Sequence, residues 1–230
     1  MDPWADRILD SHCHLYELGR FKYPWPTPDL TAIFKDHRVE DLWAAMEPSP
    51  AREVVFVQCL NDSPEEAKWV MSLAKQHPRI KGIVAGLDPS HQQFESQLTA
   101  LKSEVPLLVG VRHILDLEPR PNYLELEEVA AGVRALHRHD MTFDLLLSSS
   151  MVTEADCEKW KPEDLRPYVE HMIAVFGCDR LMYGSDWPVC RLARADYDTV
   201  FSTLRGLLSH LPEQQLEKIF CNNARNFYKV

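Results

Sequence analysis

Residues 53–74 read EVVFVQCLNDSPEEAKWVMSLA, and this stretch decides the fold. Val54, Val55, Phe56 and Val57 are apolar at successive positions, β-branched or aromatic, and too few for a helix. They predict a strand buried on both faces. Ser63-Pro64-Glu65-Glu66 then supplies a helix start: a Ser cap, Pro in the first turn and Glu three residues after the Ser. Ala67, Val70, Leu73 and Ala74 follow at helical spacing and give that helix its buried stripe.

The same alternation repeats on either side. Short apolar runs occur at Ile8–Tyr16, Ile80–Asp88, Leu107–Ile114, Met141–Leu147 and Leu181–Asp186. Helical patterns lie between them. One runs from about Leu124 to His139. A second runs from Pro162 to Phe176 and stops at Gly177, and a third from Tyr197 to His210. Strand–helix alternation predicts parallel strands joined by crossovers, which a (β/α) barrel and an open doubly wound sheet both satisfy. No GxGxxG or GxxxxGK[ST] follows a strand, so nothing favours a nucleotide-binding sheet. The chain reads as one domain over 1–230, and Tyr23-Pro24-Trp25-Pro26-Thr27-Pro28 reads as a loop after the first strand.

Composition narrows the function classes. The 230 residues carry 25 Lys and Arg against 35 Asp and Glu, a net charge of −10, which argues against nucleic acid or an anionic membrane as partner. No apolar run approaches the roughly 18–20 residues of a membrane-spanning helix. The start Met1-Asp2-Pro3-Trp4 lacks the basic and apolar segments of a signal peptide. The six cysteines form no CxxC, so they read as reduced thiols in a cytoplasmic protein.

The candidate chemistry sits at strand ends. In Asp10-Ser11-His12-Cys13-His14, alternation puts Asp10, His12 and His14 on one face of the first strand. Two imidazoles at a strand's C-terminal end can chelate a metal or hold one substrate oxygen. His137-Arg138-His139 has the same spacing but closes a predicted helix, where positions i and i+2 do not face each other. In Tyr183-Gly184-Ser185-Asp186-Trp187-Pro188 the carboxylate of Asp186 stands where barrel enzymes keep a general base or metal ligand. The same residues also read as turn chemistry. Arg112, near the end of the fourth strand, could anchor a substrate carboxylate or carbonyl, with His113 beside it. Trp25 and Trp187, on loops after strands, could stack on a sugar ring or close over the site, and packing in the core is an equal reading.

Together, Asp-Ser-His12-Cys-His14, Tyr-Pro-Trp25-Pro, Gly-Val-Arg112-His113, Thr-Phe-Asp144-Leu-Leu, Arg-Leu-Met-Tyr-Gly-Ser-Asp186-Trp-Pro and Asn222-Asn223-Ala-Arg-Asn-Phe-Tyr resemble one group. It is the amidohydrolase-related family (amidohydrolase 2), in the branch of sugar-lactone hydrolases such as fuconolactonases and pyrone-dicarboxylate lactonases. The resemblance implies a TIM-type (β/α)₈ barrel. It implies a small-molecule substrate, a sugar lactone or similar cyclic ester. Asp186 would be the base for a hydrolytic water, His12 and His14 would polarise the carbonyl or join Asp186 around a divalent metal such as Zn or Mn, and Arg112 would bind substrate. Some members of the branch work without a metal.

The sequence also departs from that pattern. The family's sixth strand ends in a His within Asp-His-x-x-Lys-Pro, and no such stretch is present. Phe143-Asp144-Leu145-Leu146-Leu147 passes directly into Ser148-Ser149-Ser150-Met151-Val152-Thr153, like the end of strand five joined to the end of strand seven. Six strands are evident where the barrel has eight. A full barrel takes about 250 residues, so two absent units amount to roughly 60. The expectation is a shortened form, such as a splice-type variant, with an internal deletion near 147–150, an incomplete barrel and no third imidazole. Three readings follow: a lactone hydrolase; an impaired family member that acts through a partner chain or a homo-oligomer; and a metal-dependent amide hydrolase or decarboxylase on the same scaffold.

Overall fold

The computed structural model describes residues 2–61, 63–115, 118–146 and 159–230. The junction near 147–150 lies outside the described residues. Five strands form one parallel sheet in chain order: β1 (Leu9–Cys13), β2 (Glu53–Val57), β3 (Ile80–Gly86), β4 (Leu108–Ile114) and β5 (Thr142–Leu146). Each falls inside an apolar run read from the sequence. Helices α1 (Val39–Met46), α2 (Pro64–Ala74), α3 (Phe94–Glu104) and α4 (Glu127–Arg138) link consecutive strands. After β5 come α5 (Pro162–Phe176), α6 (Tyr197–Leu207), α7 (Glu213–Glu217) and α8 (Asn223–Tyr228).

Both faces of the sheet are buried, as the apolar runs require. Val54, Phe56, Ile83 and Val111 pack outward with Ala67, Val70, Leu98 and Leu136 of the helices. Leu9, Val55, Val57 and Val84 point to the other face, where Ala224 and Tyr228 of α8 cover them. Alternation along β2 therefore places Val55 and Val57 inside a curled half-barrel, and Val54 and Phe56 under its helices. Burying each valine contributes about 1.5–3 kcal/mol to holding β2 in the sheet.

At α2 the side chain of Ser63 accepts from the Glu65 backbone, with Pro64 in the first turn. Glu66 does not close a capping box. It is buried and accepts the Cys59 backbone N–H at 3.2 Å, which ties α2 to the loop after β2.

The run at 181–186 departs from a regular strand. It lies beside the free edge of β1: Ser11 N–H donates to Tyr183 O at 3.0 Å, Asp186 N–H to His12 O at 2.9 Å and His14 N–H to Trp187 O at 2.7 Å. Two of its other donors leave the ladder, Tyr183 N–H for Ile219 O and Ser185 N–H for the Asp10 carboxylate. The Cys13–Trp187 pair forms an isolated bridge, so among the described residues the ladder has five strands and the sixth run is an extended neighbour. Among the described residues, β5 has no strand on its far side. The described cysteines are free, and Cys157 lies outside the described residues. No described helix is long and apolar enough to cross a membrane.

Candidate active site

The C-terminal ends of β1, β2 and β4 and the run at 181–187 surround a cavity of about 620 Å³. His12, His14, Trp25, Arg112 and Asp186 all line it. Trp187 and His113 do not.

The two histidines come from alternate positions of the β1 end. His14 is buried, and its Nδ1 lies 2.8 Å from the Val57 carbonyl oxygen. A carbonyl only accepts, so Nδ1 carries the hydrogen and Nε2 is turned to the cavity. His12 Nε2 lies 3.2 Å from His14 Nε2. Burial first, then the charges of His14 and Arg112, pull the His12 imidazole down to about 3, against the opposing pull of Asp186, so at neutral pH it is uncharged. Arg112 Nη1, which can only donate, approaches His12 Nε2 at 3.4 Å, and that nitrogen therefore offers a lone pair.

Asp186 Oδ1 completes the cluster, 3.1 Å from His14 Nε2 and 3.6 Å from His12 Nε2. Its side chain is half exposed and its φ of 53° lies in the left-handed region, which Asp tolerates better than most residues. Burial pushes the Asp186 carboxyl up. The hydrogen bond and charge of His14, with the charge of Arg112, outweigh that and hold it below the ordinary carboxylate value.

The backbone holding Asp186 is itself clamped. Asp10 is fully buried. Its Oδ1 accepts the N–H groups of His12 at 3.0 Å and Ser185 at 2.9 Å. Its Oδ2 accepts the hydroxyls of Ser185 at 2.6 Å and Tyr197 at 2.9 Å. Burial raises the carboxyl to about 6 in spite of these four bonds. Asp10 thus joins the strand carrying the histidines to the turn carrying Asp186, rather than lying with them in the cavity. Gly184 lets the two segments approach: a Cβ there would come within 2.9 Å of His12 Cβ.

The cluster has the donor set of a metal centre. One oxygen and two nitrogens lie within 4.8 Å of one another. A tetrahedral zinc with bonds of about 2.0–2.1 Å needs its ligand atoms roughly 3.3 Å apart, and the three separations here bracket that value. The carbonyl behind His14 is the outer-shell contact that fixes a metal-ligating imidazole. The residues fit a divalent ion held by His12, His14 and Asp186.

Arg112 is buried, donates through Nη2 to the Gln58 carbonyl, and reaches His12 with its other branch. Burial lowers its pKa, and neighbouring carboxylates, Asp186 and Asp144 among them, work against that. His113, next along β4, faces away. Its Nε2 lies 3.0 Å from Glu118 Oε2 and its ring stacks on Tyr123. Strand alternation separates the two: if Arg112 faces the cavity, His113 cannot. Trp187 is buried, with its ring edge-on to His37. Gln58 was not visible as a site residue because it acts through its main-chain carbonyl, to which no side-chain pattern points.

Residues 147–230 match the amidohydrolase family. This bears out the resemblance read from the motifs. The chain is 22% identical to L-fucono-1,5-lactonase of Burkholderia ambifaria over 96% of its own length and 95% of the relative's. That alignment has 278 positions against a chain of 230 residues, so at least 48 positions (278 less 230) have no residue here. Among solved structures, a zinc-bound amidohydrolase from Burkholderia multivorans superposes with a TM-score of 0.86 at 21% identity, over 97% of this chain and 99% of the other. A probable 2-pyrone-4,6-dicarboxylic acid hydrolase from Acinetobacter baumannii, crystallised with citric acid, gives 0.74 at 12% identity, over 97% and 100%. The fold is therefore that of these amidohydrolase structures, with a five-stranded sheet among the described residues.

Proposed function

We propose that the protein is a hydrolase that opens a sugar-acid lactone or a similar cyclic ester by attack of water. The observation that carries this reading is the convergence of His12 Nε2, His14 Nε2 and Asp186 Oδ1 on one cavity at the strand ends. Asp186, ionised at neutral pH, accepts a proton from water as the water oxygen bonds to the lactone carbonyl carbon. The ring C–O bond then breaks, and the departing oxygen takes the proton back from the Asp186 carboxyl. With their Nε2 atoms unprotonated, His12 and His14 would turn lone pairs toward the cavity and hold Zn or Mn; with Nε2 protonated they would polarise the carbonyl instead. Such an ion, when bound, supplies Lewis-acid polarisation of the carbonyl. Arg112 donates to substrate oxygens, and Trp25 offers an apolar face to the ring. The similarity to a fuconolactonase supports an ester over an amide as substrate.

The test is hydrolysis of a panel of aldonolactones by the purified chain beside Asp186→Asn, with and without added Zn²⁺ or Mn²⁺. Turnover that Asp186→Asn abolishes upholds the proposal. A folded wild type that opens none of the panel, with either metal, refutes it.

One observation favours a second reading. Among the described residues β5 ends the sheet, and the relative's alignment contains positions that this chain lacks. We infer that the chain, a single domain over 1–230, is a shortened barrel with an internal deletion near 147–150. An unpaired edge invites association, so an impaired form would act through a partner chain or a second copy. A monodisperse, active monomer would exclude that.

A further inference from the structure

β4 and β5 pair Arg112 with Asp144 in register, so the two side chains sit side by side on the concave face of the sheet. The hydrogen bonds of the Arg112 guanidinium run to a carbonyl and an imidazole, and its Nε is buried with no partner. The charges of two carboxylates reach it, Asp186 beside the β1 end of the sheet and Asp144 on the next strand. Asp144 is fastened. The Tyr228 hydroxyl donates to its Oδ2 at 2.9 Å and the Thr142 hydroxyl lies 3.3 Å from its Oδ1. Thr142 fits there because its neighbour on β4 is glycine: a Cβ on Gly110 would stand 2.0 Å from Thr142 Oγ1. Tyr228 reaches Asp144 from α8, packed among Leu9, Val55 and Val57.

We propose that Asp144, held by Tyr228, is a positioning residue for Arg112. It balances the pull of Asp186 on the guanidinium. Arg112 thereby stays in the cavity wall, turned to the substrate, and Asp186 stays free to take a proton. This rests on the lactone-hydrolase reading for its kinetic consequence but not for its geometry. Freed from Tyr228, Asp144 would lose its fixed orientation, and Arg112 would swing toward Asp186.

Two measurements on the full chain test this. The first is the Nε–H resonance of Arg112 in a ¹⁵N correlation spectrum, assigned by its loss in Arg112→Lys. Tyr228→Phe and Asp144→Asn should both shift or broaden that resonance while leaving the other arginine signals in place. The second is lactone kinetics. One hydrogen bond to a charged group, felt at one remove, should raise KM by about 3- to 10-fold in Tyr228→Phe, with a smaller change in kcat. An Arg112 resonance at its wild-type position in folded Tyr228→Phe overturns the proposal, as does a fall in kcat with KM unchanged. If the wild type opens no lactone, the hydrolase reading fails and the resonance alone decides this one. If Asp144→Asn does not fold, the conservative Tyr228→Phe carries the test.

Discussion

Asp10→Asn should change how stability depends on pH, in a direction that reveals which of two forces governs this carboxylate. Asp10 is fully buried, which disfavours its charge, and it accepts four hydrogen bonds, which favour it. Burial prevails, and the carboxyl rises from its ordinary 3.8 to about 6. At 1.36 kcal/mol for each tenfold change in proton affinity, ionising it in the folded state costs about 3 kcal/mol relative to the unfolded chain. The sign follows from proton binding. Between about pH 4 and 6 the folded chain holds a proton that the unfolded chain has released, so rising pH favours unfolding. Stability from the protonated group is complete below the unfolded value and is lost as pH passes 6. Asn cannot ionise. The stability of wild type relative to Asp10→Asn should therefore fall by about 3 kcal/mol from pH 4 to pH 7, as other titrating groups cancel between the two proteins. Urea unfolding at half-unit pH steps measures it. A difference that stays flat, or one that grows with pH, would refute the reasoning, because growth would mean that the four donors outweigh burial.

Three further outcomes are expected. Asp186→Asn should lower lactone turnover by about 100-fold or more, the usual size of a lost general base, with little change in melting temperature, since its side chain is half exposed. His14→Gln should weaken Zn²⁺ binding, measured calorimetrically, by at least the roughly 10- to 100-fold that loss of a supporting contact alone costs. Equal affinity in His14→Gln and wild type would remove His14 from the ligand set. Gly184→Ala should destabilise the fold by about 1–3 kcal/mol in urea, because its new methyl would meet His12 Cβ at 2.9 Å, and should loosen metal binding with it.

Much of the fold was legible because it rests on local pattern. The apolar runs held all five ladder strands, and the Pro162-to-Phe176 stripe matches α5 residue for residue. Helices α1 and α3 went unread. In α3 the buried positions, Phe94, Leu98 and Leu101, are only three in eleven residues, too sparse to stand out from polar neighbours. The run at 181–186 looked like a strand because its residues are apolar. It fails to extend the ladder because a carboxylate 175 positions away takes the Ser185 N–H, and no local pattern records that. At the site, His12, His14, Arg112 and Asp186 were legible from residue type at strand ends. His113 was included by adjacency, although strand alternation turns it away. Trp187 was open to stacking on substrate or to packing in the core, and its buried indole lies beside His37.

The position of β1 has a consequence for how the molecule assembles. One edge of this strand is completed by residues 183–187 and its inner face by Ala224 and Tyr228. These partners are far away along the chain, Tyr183 standing 172 positions from Ser11. The β2–β3–β4 units pair with sequence neighbours, but β1 keeps a bare edge and an uncovered Leu9 until those remote segments return. Contacts of such long sequence separation slow folding, and the waiting strand is a site for misassociation in the interval. The return of residues 183–187 and α8 to β1, rather than formation of the first βα unit, is therefore the step that completes the strand carrying both histidines.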